Sequence, residues 1–142
     1  MKGKLFAETI ILEGCPRLKE GTLTTTARPG MFIKLNGEDS FETVAAGDFS
    51  VARVVTENDL IGGTIQGEYA IGTRVYMHLP MKGDLVNCAI PANAPAIAVG
   101  DVLQYGANGM LEIGQDSPIA IAERAVDNSA SADASFVVAR II

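Results

Sequence analysis

Histidine is almost missing from this chain: among 142 residues only His78 carries an imidazole. A Ser-His-Asp or Cys-His arrangement would have to use it as the base, and a zinc site would need unusual carboxylate support around it. It stands mid-strand between Met77 and Leu79, so we read it as a surface histidine on the polar face of a sheet. Cysteine is nearly as scarce. Cys15 and Cys88 match neither a metal-ligand spacing nor a CxxC redox motif. A disulfide between them is compatible with the sequence but nothing requires it, and two buried free thiols are the expectation. Clustered basic residues are lacking as well. Lys and Arg number 11 against 17 Asp and Glu, a formal charge of -6 with a pI near 4.7. Such a chain repels phosphate backbones, which argues against a nucleic-acid partner. No run approaches the roughly 18 apolar residues of a membrane span. The apolar N-terminal stretch is broken by Glu8 and Glu13 and makes a poor signal-peptide core. A soluble protein without a membrane partner, made and used in the cytoplasm, is expected.

What is present is β-forming. Hydrophobic residues make up 48% and charged residues 20%, a globular balance, and the length suits one domain with a real core. Gly and Pro interrupt most windows of helical length, where each is costly. MFIKL at 31–35 alternates and runs into Asn36-Gly37, a hairpin signal, with a return strand at 41–44. SVARVV at 50–55 is rich in β-branched residues. RVYMHL at 74–79 alternates, placing Val75, Met77 and Leu79 opposite Arg74, Tyr76 and His78, and Pro80 stops it. LVNCAI at 85–90 follows a Lys82-Gly83-Asp84 turn and reads as its hairpin partner. DVLQY at 101–105 and MLEI at 110–113 flank Ala107-Asn108-Gly109 as another hairpin. PIAIAERAV at 118–126 and SFVVARII at 135–142 read as the last strands, the latter apolar on nearly both faces and therefore central. The expected core is Val51, Val54, Val75, Met77, Leu79, Val86, Val99, Leu103, Leu111, Ile119, Ile121, Val137 and Val138. Short strands at close spacing predict a small barrel or sandwich.

Residues 1–30 differ: Gly14-Cys15-Pro16 and Gly21 punctuate them, and TLTTTARPG follows at 22–30. The threonine run and Pro29 favour extended backbone. We read this stretch as an arm or edge segment ahead of one β-rich domain at 31–142, with an ordinary first hairpin as the alternative. VAAGDFSVARVV at 44–55 echoes IAVGDVLQY at 97–105, but two similar β-turns suffice to explain it. The acids lie mostly in predicted turns, where Asp bonds its own backbone. Glu57-Asn58-Asp59 lacks the EF-hand spacing for calcium. Gly62-Gly63 lacks both the Walker lysine and the GxGxxG spacing of a phosphate cradle. No catalytic residue, metal site or cofactor is indicated.

Several consecutive elements carry a family resemblance. They are END at 57–59, YAIGTRVYMHLPMKGDLVNCAI at 69–90, IAVGDVLQYGANGML at 97–111 and AVDNSASADASFVVARII at 125–142. GMFIKL near residue 30 fits the same cadence of Gly, strand, Gly-Asp, strand. In that order they resemble the small capsid decoration, or cement, proteins of tailed bacteriophages. The resemblance covers about three-fifths of the chain and leaves the N-terminal 25 or so residues unmatched. It implies a mainly β fold, a small partly open β-barrel or tulip-like sheet with an extended N-terminal arm. It also implies a non-enzymatic virion protein on the outer surface of an expanded icosahedral shell. There it would form homotrimers at three-fold and quasi-three-fold positions and bridge subunits of the phage major capsid protein, after synthesis in the host cytoplasm. The alternatives are a small β-barrel enzyme or ligand-binding module, and a tail or head-completion virion protein. For contact with the shell or a neighbouring copy, the extended stretch supplies Thr22, Leu23, Thr24, Thr25, Thr26, Arg28, Pro29, Met31 and Phe32.

Overall fold

The computed structural model describes residues 9–48, 51–57 and 67–142. The fold is mainly β. In chain order the strands are β1 (Ile11–Glu13), β2 (Leu18–Leu23), β3 (Phe32–Gly37), β4 (Ser40–Thr43), β5 (Arg53–Val55) and β6 (Arg74–His78). They continue with β7 (Leu85–Ile90), β8 (Val102–Tyr105), β9 (Leu111–Ile113), β10 (Pro118–Ala122) and β11 (Ser135–Ile141). Five strands close a barrel in the order β2-β4-β3-β5-β6, and six form a second sheet in the order β1-β7-β11-β10-β8-β9. The barrel is therefore closed where a partly open one was expected. The arm or edge segment expected at 1–30 resolves, over its described residues, into an edge strand, β1, and a barrel strand, β2.

Strand alternation builds two cores that share walls. Inside the barrel lie Leu23, Met31, Ile33, Phe41, Val55, Val75 and Met77. Between barrel and sheet lie Phe32, Val44, Val54, Val86, Cys88, Ile90, Leu103, Leu111, Val137 and Ile141. Neighbouring residues thus serve opposite cores: Phe32 and Ile33 on β3, Val54 and Val55 on β5. Strand β7 is buried along its whole length, with Ala89 facing the barrel core and Cys88 and Ile90 the other. Gly21 is required where it stands, because a β-carbon there would run into the ring of Phe41, the aromatic plug of the barrel.

Two of the three expected hairpins form, β3 with β4 and β8 with β9, and the last two strands, β10 and β11, also pair antiparallel. The first turns on Glu38 and Asp39, not on Asn36-Gly37, and Asp39 takes the positive φ of 56°. Strand β11 is central, between β7 and β10, though one of its faces stays half-buried. The hairpin expected between β6 and β7 does not form. Strand β6 pairs with β2 and β5, whereas β7 pairs with β1 and β11, so residues 79–84 carry the chain from barrel to sheet. The core expectation needs matching corrections. Val51 and Val99 are 70% and 66% exposed, Leu79 and Val138 are half-buried, and β10 buries Ala120 and Ala122 in place of Ile119 and Ile121. Ala120 and Ala122 join the core between barrel and sheet, with Ile119 packed at its margin.

The Gly-Asp echo has a structural basis. At Ala45-Ala46-Gly47-Asp48, Met81-Lys82-Gly83-Asp84 and Ala98-Val99-Gly100-Asp101 the last N–H donates to the first carbonyl. In each, the Asp carboxylate accepts the N–H of the first residue in return. The glycines have φ of 83°, 95° and 91°, the third-position geometry of a type II turn. One Asp-capped turn is thus used three times, each time to enter or leave a sheet.

Candidate functional site

The most chemically distinctive cluster is the corner where β6 ends. His78 is fully buried, which overturns the surface histidine expected from alternation. Its Nδ1 accepts the backbone N–H of Arg17 at 3.0 Å, so the ring proton sits on Nε2, 2.9 Å from Asp84 Oδ2. The same Oδ2 accepts the N–H of Met81. Gly14 leaves room for the carboxylate, since a β-carbon at that position would meet Asp84. Both ring nitrogens are occupied and the ring is sealed from solvent, so this dyad holds the corner together and presents no free base to a substrate.

Charged groups elsewhere form surface pairs. Lys34 Nζ lies 2.7 Å from Asp48 Oδ2. That hydrogen bond raises the lysine pKa, while the Ala45 N–H and Lys34 together lower that of Asp48. Arg74 lowers Asp39, and Arg140 lowers Glu123 through a bidentate contact while also reaching Glu13 and the carbonyl of Gly83. Bonds from Ser129 lower Asp127. Cys88 is buried and burial pushes its thiol up to about 12, whereas Cys15 is exposed, contrary to the expectation of two buried thiols; both are free. Among the described residues no group of three or more His, Cys, Asp or Glu is placed to hold a metal ion. Glu57 accepts the N–H of Ile10, while Asn58, Asp59, Gly62 and Gly63 lie outside the described residues.

The stretch singled out for contacts divides into two kinds of residue. Leu23, Pro29, Met31 and Phe32 are buried in the molecule's own cores. Thr24 and Thr26 are exposed, and Thr22, Thr25 and Arg28 are half-buried, so these five reach the outer wall of the barrel. Thr24 Oγ1 receives the Asn36 amide at 2.6 Å, and Arg28 lies 3.8 Å from Glu68.

Two surface features carry exposed aliphatic side chains. One is a groove of about 250 Å³ at the seam of barrel and sheet, lined by Val51, Leu79, Pro80, Pro118, Ile119 and Ile142 over a floor of Phe32 and Tyr105. The two rings of the floor lie 5.4 Å apart, burial pushes the Tyr105 phenol up to about 12, and among the described residues no charged side chain lines the groove. The other is the Ala98-Val99-Gly100 turn with exposed Pro95 and Ala96 beside it. The signal for both was present but misassigned, since an apolar residue next to a Gly-Asp turn reads equally as core or as tip.

No family model matches the chain, and no curated protein matches its sequence. Among solved structures the fold is similar to that of the head fiber gp8.5 N base of bacteriophage phi29, with a TM-score of 0.60 and 12% sequence identity, over 90% of this chain and 95% of that one.

Proposed function

We propose that this chain is a non-enzymatic structural protein of a tailed-phage virion. It sits on the outer surface of the expanded icosahedral shell, as trimers at three-fold and quasi-three-fold positions, and bridges neighbouring major capsid subunits. The observation that carries the reading is the likeness in fold, over nearly the full length of both chains, to the base of a phage head fiber. The ordered Gly-Asp and Asn-Gly turns, which carry the sequence resemblance to capsid decoration proteins, support the same reading. Such a protein works by adding buried area across joints that exist only in the assembled shell, so its binding stabilises that state by mass action. A trimer on a local three-fold repeats each contact, and modest contacts sum. The exposed face formed by Thr22, Thr24, Thr25, Thr26 and Arg28 is the surface we assign to the shell.

Co-sedimentation with expanded and unexpanded shells lacking the protein tests the proposal. Saturable binding to expanded shells, at a ratio fitting three-fold sites, is the expected result. Absence of binding to either form at every salt concentration refutes it. The likeness to a fiber base favours one variant, in which the chain seats a longer projection. Micrographs of decorated shells showing fibres in place of low knobs would establish that variant.

A further inference from the structure

We infer that β1 is exchanged between copies of this chain, each laying its residues 9–13 into the sheet of the next. The inference deepens the assembly part of the reading above and takes the ring size from it. The slot that holds β1 is built for an extended segment. Asn87, buried on β7, donates its side-chain amide to the Thr9 carbonyl at 2.7 Å and its backbone N–H to the Ile10 carbonyl. Glu57 accepts the Ile10 N–H in return. Strand addition of this kind draws affinity from the main chain and specificity from a few side chains. Two side chains supply the specificity here. Ile10 is fully buried in the core between barrel and sheet, and Glu13 meets the Arg140 guanidinium at 2.8 Å. The fitting occupant carries a bulky aliphatic residue three places ahead of a carboxylate. A second copy brings that segment at the right spacing.

The joint behind β1 favours exchange. Strand β1 belongs to the sheet and β2 to the barrel, and the link between them, residues 14–17, is exposed. Gly14 takes a φ of 131°, well outside the 73–95° of the other positive-φ glycines among the described residues. Pro16 fixes its own φ and pushes Cys15 toward extended backbone. A short strained hinge invites exchange, because the same contacts re-form in the neighbour once the hinge runs straight. The hold of β7 on β1 is short as well: two residue pairs, with a break in register between them.

The hinge also locates the joint between copies. Arg17 stays with its own barrel, since its N–H bonds His78. From Glu13 to Leu18 the chain spans at most about 17 Å. Exchanging copies therefore meet beside the His78-Asp84 corner. Donated strand and receiving slot are different surfaces, and contacts of that kind close into rings when the rotation permits. Three copies close the ring at a local three-fold position, and three donated strands hold it together.

The test uses the full chain with Glu13→Cys and Leu85→Cys, and with Cys15→Ser to remove the exposed thiol. Glu13 and Leu85 stand opposite each other in the antiparallel pair, within reach of a disulfide. After mild oxidation, a non-reducing denaturing gel should show covalent trimers, with dimers where one bond is missing. Inserting four Gly-Ser residues after Cys15→Ser relaxes the hinge and should shift the covalent product to monomer. Covalent monomers from the uninserted variant overturn the inference. A second measurement keeps every native side chain. Labelled and unlabelled wild type are mixed in urea and refolded together, and isotope-filtered NMR should then show contacts across the Ile11–Val86 pair between different chains. Their absence from the mixed sample overturns the inference too. Shell co-sedimentation in parallel separates the two ideas. Covalent trimers that ignore shells would keep strand exchange and remove the shell reading. Covalent monomers that still bind shells would do the reverse. Covalent monomers that lose a shell binding present before oxidation would assign the slot to a capsid strand and refute exchange between copies.

Discussion

Removing the carboxylate of Asp84 should unfasten the corner between barrel and sheet, and the cost can be worked from its contacts. In Asp84→Ala the Nε2–H of His78, fully buried, loses its acceptor. A buried donor left unpaired costs about 1–3 kcal/mol. The Met81 N–H loses its cap in a more exposed setting, worth about 1 kcal/mol. The sum, about 2–4 kcal/mol, is a large share of the roughly 5–15 kcal/mol that holds a domain folded. Replacing the ring in His78→Leu removes the partner of both Asp84 and the Arg17 N–H, with a similar expected cost. The two changes should not add, because each destroys the same bond; a coupling of about 1–2 kcal/mol is expected for groups in direct contact. Urea unfolding of wild type, both singles and the double gives the cycle, provided the slope m is shared. Amide exchange at Arg17 should rise in His78→Leu, since β2 begins there. If Asp84→Ala lies within about 0.5 kcal/mol of wild type, or the two changes are additive, the corner is held by packing alone and the reasoning fails.

Other outcomes follow from the same structure. Deleting residues 1–25 removes β1 and the barrel strand β2, uncovering Phe41 and Met77, and calorimetry should then show no cooperative transition; a sharp melt would mean the remaining strands close without it. In the folded protein a thiol reagent should modify Cys15 alone and reach Cys88 only in denaturant, because the Cys88 thiolate is suppressed by burial. Asp39, Asp48, Glu123 and Asp127 all bind protons less readily folded than unfolded, so their stabilisation is full above the ordinary carboxylate range of about 4 and is lost as pH falls through their lowered values. The melting temperature should stay level from neutral pH down to about 5 and drop below it, and Asp39→Asn with Glu123→Gln should flatten that drop. Gly109→Ala and Gly47→Ala share a positive φ, of 73° and 83°, but only the first drives its β-carbon into the Phe32 carbonyl. Gly47→Ala should cost about 1–2 kcal/mol from backbone strain and Gly109→Ala clearly more, and equal losses in thermal melts would contradict this.

The parts of the fold that the sequence disclosed are those set by local chemistry. Hairpins β3–β4 and β8–β9 were legible because their short turns bring adjacent strands back at once. The β6–β7 connection carries an equally strong turn signal at Lys82-Gly83-Asp84, yet it crosses between sheets. An Asp-capped type II turn redirects the backbone locally, and only pairing with distant strands decides whether the chain returns to its own sheet or enters another. His78 was placed on the wrong side for a related reason: alternation gives two faces, but in a closed barrel packed on a sheet both faces of a strand find a core. The same ambiguity exchanged Ile119 and Ile121 for Ala120 and Ala122, where an apolar run on β10 offers no polar residue to fix the phase. Val51 and Val99 read as core because composition cannot tell a buried valine from one at a turn tip. For the surface contacts, the sequence marked the threonine stretch by its composition, while the groove, assembled from six separate parts of the chain, had no local signature.

Closing the barrel sets a clock on folding. Strand β2, at residues 18–23, finds its antiparallel partner only in β6 at 74–78, and β1 must wait for β7 at 85–90. During synthesis β1 therefore lacks its partner, and β2 has only its short parallel pairing with β4, until most of the chain has emerged. Pairing over such separations makes folding slow, and contacts that form late mainly retard unfolding. A chain of this kind, once closed, opens seldom. On the proposed reading, in which the chain sits on the outside of a particle that cannot replace its parts, a slow opening rate secures persistence that equilibrium stability alone does not.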